Sequence, residues 1–277
     1  MTSQLEAARL ATTPERRAAH GVLMIAVASG KGGVGTSTVS ALLGAAISAQ
    51  GRRVLLVDGV GRLGTLHELL RVTPTYSLGS LRHGVDPSAL LSPVSPSLSL
   101  LVAAPDERPV PDAEQRVLHD RLTSLYDGFD CVVADVGSSA ASILQGCRDG
   151  ATRLLAVCGA DRVGLAATFA LFKLVTQQYP QVPIDLVANR VTDDVAETLH
   201  GHLNAAAIRF LSRTVTFAGA IPEDADFGHA LAAGLGAIDA AVGSNAVAAM
   251  HPIGERLLTD PSASSRAGSL TRPFRKR

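Results

Sequence analysis

The stretch Ser29-Gly30-Lys31-Gly32-Gly33-Val34-Gly35-Thr36-Ser37-Thr38 constrains this chain more than any other. It follows Val22-Leu23-Met24-Ile25-Ala26-Val27-Ala28, an apolar run of strand length, and precedes Val39 to Gln50, a small-residue stretch that reads as a helix. Strand, glycine loop and helix together form the setting in which a phosphate loop works. Glycines let backbone N–H groups close around phosphate oxygens, and the helix N-terminus adds a favourable field for negative charge. Gly30, Gly35 and Ser37 fall in register with the pattern G-x-x-x-x-G-K-[ST], but Thr36 stands where that pattern has its lysine. The loop carries Lys31 instead. Of the 25 basic residues only Lys31, Lys173 and Lys276 are lysine, which leaves 22 arginines. A lysine inside the loop of so arginine-rich a chain points to a task for a compact ammonium, such as contact with phosphate. The plain alternative is a glycine-rich turn that holds no ligand.

At 277 residues the chain is long enough to bury one large core. Aromatics are only 4% of it and tryptophan is absent, so Ala, Val and Leu must fill that core. A formal net charge of zero counts against non-specific nucleic-acid binding, which relies on a basic surface. Cys131, Cys147 and Cys158 have no C-x-x-C spacing and read as reduced, buried small hydrophobes in a cytoplasmic protein. No apolar stretch reaches the length of a spanning helix, and Met1 to His20 has no signal-peptide pattern.

Four further stations follow in order. Arg53-Val54-Leu55-Leu56-Val57-Asp58 is a buried strand ending on a carboxylate, at the edge where parallel sheets place ligands. Residues 73–95 read as a loop-rich connection, Leu98 to Ala104 as a strand and Asp112 to Asp127 as a helix. Asp130-Cys131-Val132-Val133-Ala134-Asp135-Val136-Gly137 is a second strand closing on a carboxylate. Asp135 suits Mg²⁺, held through water, or the cap of the next helix. A strand at Arg153 to Cys158 and a helix at Gly164 to Gln177 precede Ile184 to Arg190, which ends on Asn189-Arg190. Taken alone, Asn-Arg after a strand is an ordinary turn. Val215 to Ile221 is the last strand. Pro222-Glu223-Asp224 follows it, then helices at Asp224–Ala233 and Ala237–Leu258, the second broken at Pro252.

Lys31-Gly32-Gly33-Val34-Gly35 resembles the deviant phosphate loop of the MinD/ParA family of dimerising ATPases. The likeness extends through Asp58, Asp135-Val136-Gly137, Asn189-Arg190 and Ile221-Pro222-Glu223-Asp224, over about residues 20–255. It implies a doubly wound, mostly parallel α/β sheet with helices on both faces, binding ATP or ADP with Mg²⁺. Gly30, Lys31, Gly32, Gly33, Val34, Gly35, Thr36, Ser37 and Thr38 would bind the phosphates, with Gly137 at the γ-phosphate. Asn189, Arg190 and Pro222 would meet the base, while Ser37 and Asp135 would serve the metal. Lys31 and Asp58 are the catalytic candidates, Lys31 by reaching the nucleotide of a facing subunit.

Two departures bear on turnover. Thr36 replaces the usual lysine, and Val60 replaces the aspartate that orients the attacking water in the family's D-x-D-x-x-x-x-N-L switch. Thr65 also replaces the switch asparagine, and Arg62 is a cation that could swing toward the phosphates. Tyr76-Ser77-Leu78 is similar to the segment that follows this switch in MinD and the flagellar-number regulators. Before the domain, Gln4 and Arg9 match the regulators' D-Q-A-x-x-L-R arm, whereas Ser3, Leu5 and Ala8 do not.

The expected organisation is a polar arm at 1–20, a nucleotide-binding domain at 21–258 and a disordered basic tail at 259–277. The tail's charges would give at most weak, peripheral attraction to the inner face of the cell membrane. Function divides between a nucleotide-dependent homodimeric switch in flagellar or division-site placement and a non-hydrolysing scaffold of the same fold. Either would work through a protein partner, such as a flagellar GTPase or a placement factor. A chromosome-partition role is the third reading, disfavoured by the neutral charge.

Overall fold

The computed structural model describes residues 22–60, 64–102, 125–140, 143 and 153–259. The arm at 1–20, the tail from 260, Arg62, Cys147 and most of the Asp112–Asp127 helix lie outside the described residues.

The first strand, β1 (Leu23–Ser29), runs into the glycine loop and then helix α1 (Thr36–Ala49). Next come β2 (Val54–Asp58), the five-residue α2 (Leu66–Leu70), β3 (Ser92–Ser95) and β4 (Leu98–Val102). Strand β5 (Cys131–Gly137) precedes β6 (Arg153–Cys158), α3 (Arg162–Gln178) and β7 (Ile184–Asn189). Helix α4 (Asp193–Leu211), β8 (Thr216–Ile221), α5 (Ala225–Ala232), α6 (Ala237–Ala240) and α7 (Asn245–Thr259) complete the described chain.

The eight strands form one sheet in the order β3-β4-β2-β5-β1-β6-β7-β8, parallel throughout except for β3 against β4. The central strands are apolar on both faces, as a sheet covered on both sides requires. In β1, Ile25 and Val27 face one core with α1 and α7, while Ala26 and Ala28 face a second with α3 and α4. Because β1 lies between β5 and β6, its end is where the chain switches sides of the sheet. Crevices at such a point hold ligands in open α/β sheets.

Several boundaries differ from the sequence reading. Helix α1 begins at Thr36 rather than Val39, so the loop's three hydroxyl residues form its first turn. Residues 73–95 are not only loop: two 3₁₀ turns, Leu78–His83 and Pro87–Leu90, lead into the edge strand β3. An edge strand tolerates Pro93, which has no N–H to donate. The segment between Arg190 and Val215, unassigned from sequence, is the 19-residue α4. Its buried residues Ala196, Leu199, Leu203 and Ala207 carry a helical spacing that small side chains obscure.

The last helix does not break at Pro252, which lies inside α7; the break falls at 241–244 instead. Gly243 there takes φ +77°, and Asp224 holds the new helix start by accepting from Ala246 N–H (3.3 Å) and the Ser244 hydroxyl (2.8 Å). Met250, Ile253 and Leu257 bury the helix in the core, and that packing outweighs the hydrogen bond lost at one proline.

Candidate nucleotide site

The glycine loop owes its shape to local sterics. Gly33 and Gly35 take φ +83° and +89°, the left-handed region that β-carbons disfavour. Gly30 is required for a different reason, close approach to α3. A β-carbon there would lie 2.1 Å from the Ala167 carbonyl carbon and 2.5 Å from the Thr168 nitrogen. Gly30→Ala must therefore lift the loop off α3 and is expected to destabilise the protein by about 1–3 kcal/mol. Gly32→Ala meets nothing nearer than the Ser138 hydroxyl at 3.8 Å and serves as the control. Urea midpoints compare the two, and equal midpoints would refute this account of Gly30.

Side chains then fasten the loop from both ends. The Thr36 hydroxyl, buried, donates to the Ser29 hydroxyl (2.8 Å), which donates to the Lys31 carbonyl (2.9 Å). The residue in the lysine position thus ties the loop to the end of β1. The Asn189 amide donates to the Val34 carbonyl (2.8 Å). Lys31 Nζ lies 3.0 Å from both carboxylate oxygens of Asp161, which also caps α3 by accepting from Gly164 N–H (2.8 Å). The Gly164 N–H, then Lys31, hold the Asp161 carboxyl below its ordinary range. Both partners of the pair are solvent-accessible, so water screens it and the ammonium can exchange partners.

Beside the loop, Asp58 at the end of β2 stands in register with Asp135 near the end of the adjacent β5. Asp58 accepts from Val60 N–H (3.3 Å) and Leu66 N–H (3.1 Å), and burial raises its carboxyl above the ordinary range. Burial pushes Asp135 up to about 6, against the favourable Ser37 hydroxyl and Gly137 N–H and with a further rise from Asp58. Asp135 Oδ1 accepts from Gly137 N–H (3.1 Å), whereas its buried Oδ2 has no hydrogen-bond partner. An orphaned carboxylate oxygen beside a serine hydroxyl fits Mg²⁺, which takes few protein ligands and completes its shell with water and phosphate. Among the described residues no cluster of three or more His, Cys, Asp or Glu is placed to hold a metal unaided.

Asn189 and Arg190 at the end of β7 and Pro222 after β8 line a cleft with Thr38, Val39 and Leu42 of α1. Phe227 and Leu231 of α5 supply its apolar wall. Asp224 stands at the rim and is held below its ordinary range by Phe227 N–H, then by Ser244. The cleft pairs an apolar wall with a few polar groups at strand ends, as small-molecule sites do.

The fold thus gathers the loop, Ser37, Asp58, Asp135 and Gly137 at the ends of β1, β2 and β5. Asn189, Arg190 and Pro222 gather one strand pair away. Lys31 points instead to the start of α3, and Thr36 turns inward. The sequence reading did not single out Asp161, Ser29 or Phe227. Asp161-Arg162-Val163-Gly164 ahead of a helix is a recognisable capping signal, but nothing local says that it meets Lys31. Cys131 and Cys158 are buried, as expected, and burial pushes both thiols up to about 12.

Residues 25–238 match the family model described as the CobQ/CobB/MinD/ParA nucleotide binding domain. The chain is 29% identical over 217 residues to the antiactivator FleN of Pseudomonas aeruginosa, covering 74% of this chain and 75% of that protein. It is 32% identical over 118 residues to the septum site-determining protein MinD of Synechocystis, covering 40% of this chain and 44% of that protein. Among solved structures, a chain of the MinC:MinD cell division protein complex of Aquifex aeolicus aligns with TM-score 0.67 at 20% identity. That alignment covers 92% of this chain and 99% of the other. MinD of Pyrococcus horikoshii in complex with Mg-ADP aligns with TM-score 0.63 at 19% identity, over 85% of this chain and 96% of that one. No helix of the described residues is long and apolar enough to cross a membrane.

Proposed function

The chain belongs to the CobQ/CobB/MinD/ParA nucleotide-binding domain family, and we propose that within it the protein is a nucleotide-dependent switch with impaired hydrolysis. The observation that carries this reading is the buried, unpartnered Oδ2 of Asp135 beside Ser37 and the glycine loop. Bound Mg²⁺ would supply charge neutralisation between phosphates. Around it, loop N–H groups would cradle the phosphates, Ser37 and Asp135 would hold the metal's shell, and the apolar cleft would take an adenine base. Asn189 already donates to Val34, which leaves its carbonyl oxygen to accept from an adenine amino group. The likeness to FleN and MinD supports a role in placing flagella or division sites through a protein partner.

Isothermal titration of Mg·ATP, Mg·ADP and Mg·GTP tests the reading. Adenine nucleotides are expected to bind in the micromolar range or weaker, because Thr36 forgoes a charge-assisted bond worth about 1.5–3 kcal/mol, a factor of about ten to a hundred. Silence at millimolar nucleotide would refute it.

A second expectation concerns Lys31. The accessible Lys31–Asp161 pair leaves the ammonium free to exchange toward a facing subunit's phosphates. Sedimentation at a saturating, slowly hydrolysed ATP analogue is expected to show a dimer, weakened at least about tenfold in Lys31→Ala by loss of a charged contact. A variant that dimerises as well as the parent would confine Lys31 to its contact with Asp161.

A further inference from the structure

On the nucleotide-binding reading above, three polar groups at this edge of the site are engaged within the chain. The Thr36 hydroxyl is donated to Ser29, and the Lys31 ammonium is held by Asp161. The Gly137 N–H is donated to Asp135 Oδ1 at 3.1 Å. Over Gly137 lies an apolar cover: the Val60 methyl carbons are 3.2 and 3.5 Å from where a β-carbon on Gly137 would stand. The turn carrying Val60 is fastened to β5, since Gly59 N–H donates to the Asp135 carbonyl at 2.8 Å. A β-carbon at Gly59 would sit 2.8 Å from that same oxygen, so the approach depends on glycine. Val60 N–H is tied in turn to Asp58 Oδ1.

The first two phosphates meet a different surface. The glycine loop and the first turn of α1 present backbone N–H groups, which depend on neither residue 36 nor residue 60. A third phosphate would bring further negative charge against two methyl groups and toward Asp58 and Asp135, while the loop's cation, Lys31, is turned toward Asp161 at the start of α3. Burying charge against apolar atoms without a donor is unfavourable.

We propose that this site selects nucleoside diphosphates over triphosphates, with Val60 as the residue that sets the choice. The inference rests on the nucleotide-binding reading above and adds which nucleotide form the chain retains. The diphosphate fills the loop with Val60 seated on Gly137. The triphosphate enters only as Val60 moves off and Gly137 N–H is released.

The test is titration of Mg·ADP and Mg·AMP-PNP into the parent, Val60→Ala and Val60→Thr, with thermal melts to verify folding. The parent is expected to bind Mg·ADP at least about tenfold more tightly, the scale of one unmade charged hydrogen bond. Val60→Ala removes the methyl cover, and Val60→Thr keeps the shape while adding a hydroxyl donor. Each is expected to narrow the gap to about threefold or less, chiefly by strengthening AMP-PNP. Equal or tighter binding of AMP-PNP by the parent overturns the inference and leaves the nucleotide reading standing. An unchanged gap in both folded variants also overturns it, since Val60 would not be the determinant. Absence of binding by either ligand overturns the nucleotide reading and this inference together.

Discussion

Phosphate release by the purified protein with Mg·ATP is expected at the background rate, and the Thr36→Lys, Val60→Asp double variant is expected to exceed it by about 10²-fold or more. Phosphoryl transfer needs charge neutralised on the γ-phosphate and a water held in line with it. The residue at 36 does neither, because its buried hydroxyl is tied to Ser29. Val60 has no acceptor for a water proton, and its methyl carbons stand 3.2 and 3.5 Å from where a β-carbon on Gly137 would be. Loss of one positioned proton acceptor lowers a rate by about 10²–10⁴, before the missing lysine is counted. Robust turnover by the parent that disappears in Asp135→Ala would show that other residues supply both functions. A double variant that folds, binds nucleotide and still fails to turn over would place the defect elsewhere in the site.

The second large effect is on stability, and its sign runs against the usual outcome of altering a buried residue. Asp135→Asn is expected to raise the melting temperature of the nucleotide-free protein at pH 7.5 while abolishing the Mg²⁺ dependence of nucleotide binding. Burial, opposed by Ser37 and Gly137 and assisted by Asp58, lifts the Asp135 carboxyl from 3.8 to about 6. A carboxyl raised in the folded state favours folding when protonated. That contribution is complete below about pH 4, fades as pH rises through 6 and is absent at 7.5. Two units correspond to about 3 kcal/mol. The asparagine amide brings its own buried donor, so a net gain on the order of 2 kcal/mol, about 4–8 °C, is expected. Melts of parent and variant at pH 4.5 and 7.5 check the sign, with the difference shrinking at the lower pH. A variant that melts below the parent at pH 7.5, or that still binds nucleotide more tightly with Mg²⁺, would refute this role. The instability of the carboxylate in the empty site is what a bound cation would relieve.

Much of the architecture was legible because strands and loop obey local rules. A fully apolar strand, a glycine run and a capped helix each state their conformation within about ten residues. The five stations that resemble the family are each short and stand at strand ends. Helix α4 was equally local but carried half of its buried face on alanines, Ala196 and Ala207, whose weak hydrophobic contrast blurs the helical period. At Pro252 the local rule pointed the wrong way, because a helix seated on α1 through Met250, Ile253 and Leu257 outweighs one missing donor.

The sequence by itself determined that this chain builds a phosphate loop on a parallel sheet, and that it lacks a lysine at 36 and a carboxylate at 60. Those facts follow from residue identity and near-neighbour spacing, which any copy of the chain carries before it folds. Only the tertiary structure decided where the remaining polar groups are engaged. Lys31 meets Asp161 across 130 positions, Asn189 meets Val34 across 155, and Val60 rests on Gly137 of a neighbouring strand. Such pairings arise when the sheet brings distant strand ends to one edge, and sequence spacing carries no record of that distance. The emptied lysine position therefore reads differently once folded: its threonine closes the loop from inside, and the loop's remaining lysine faces outward.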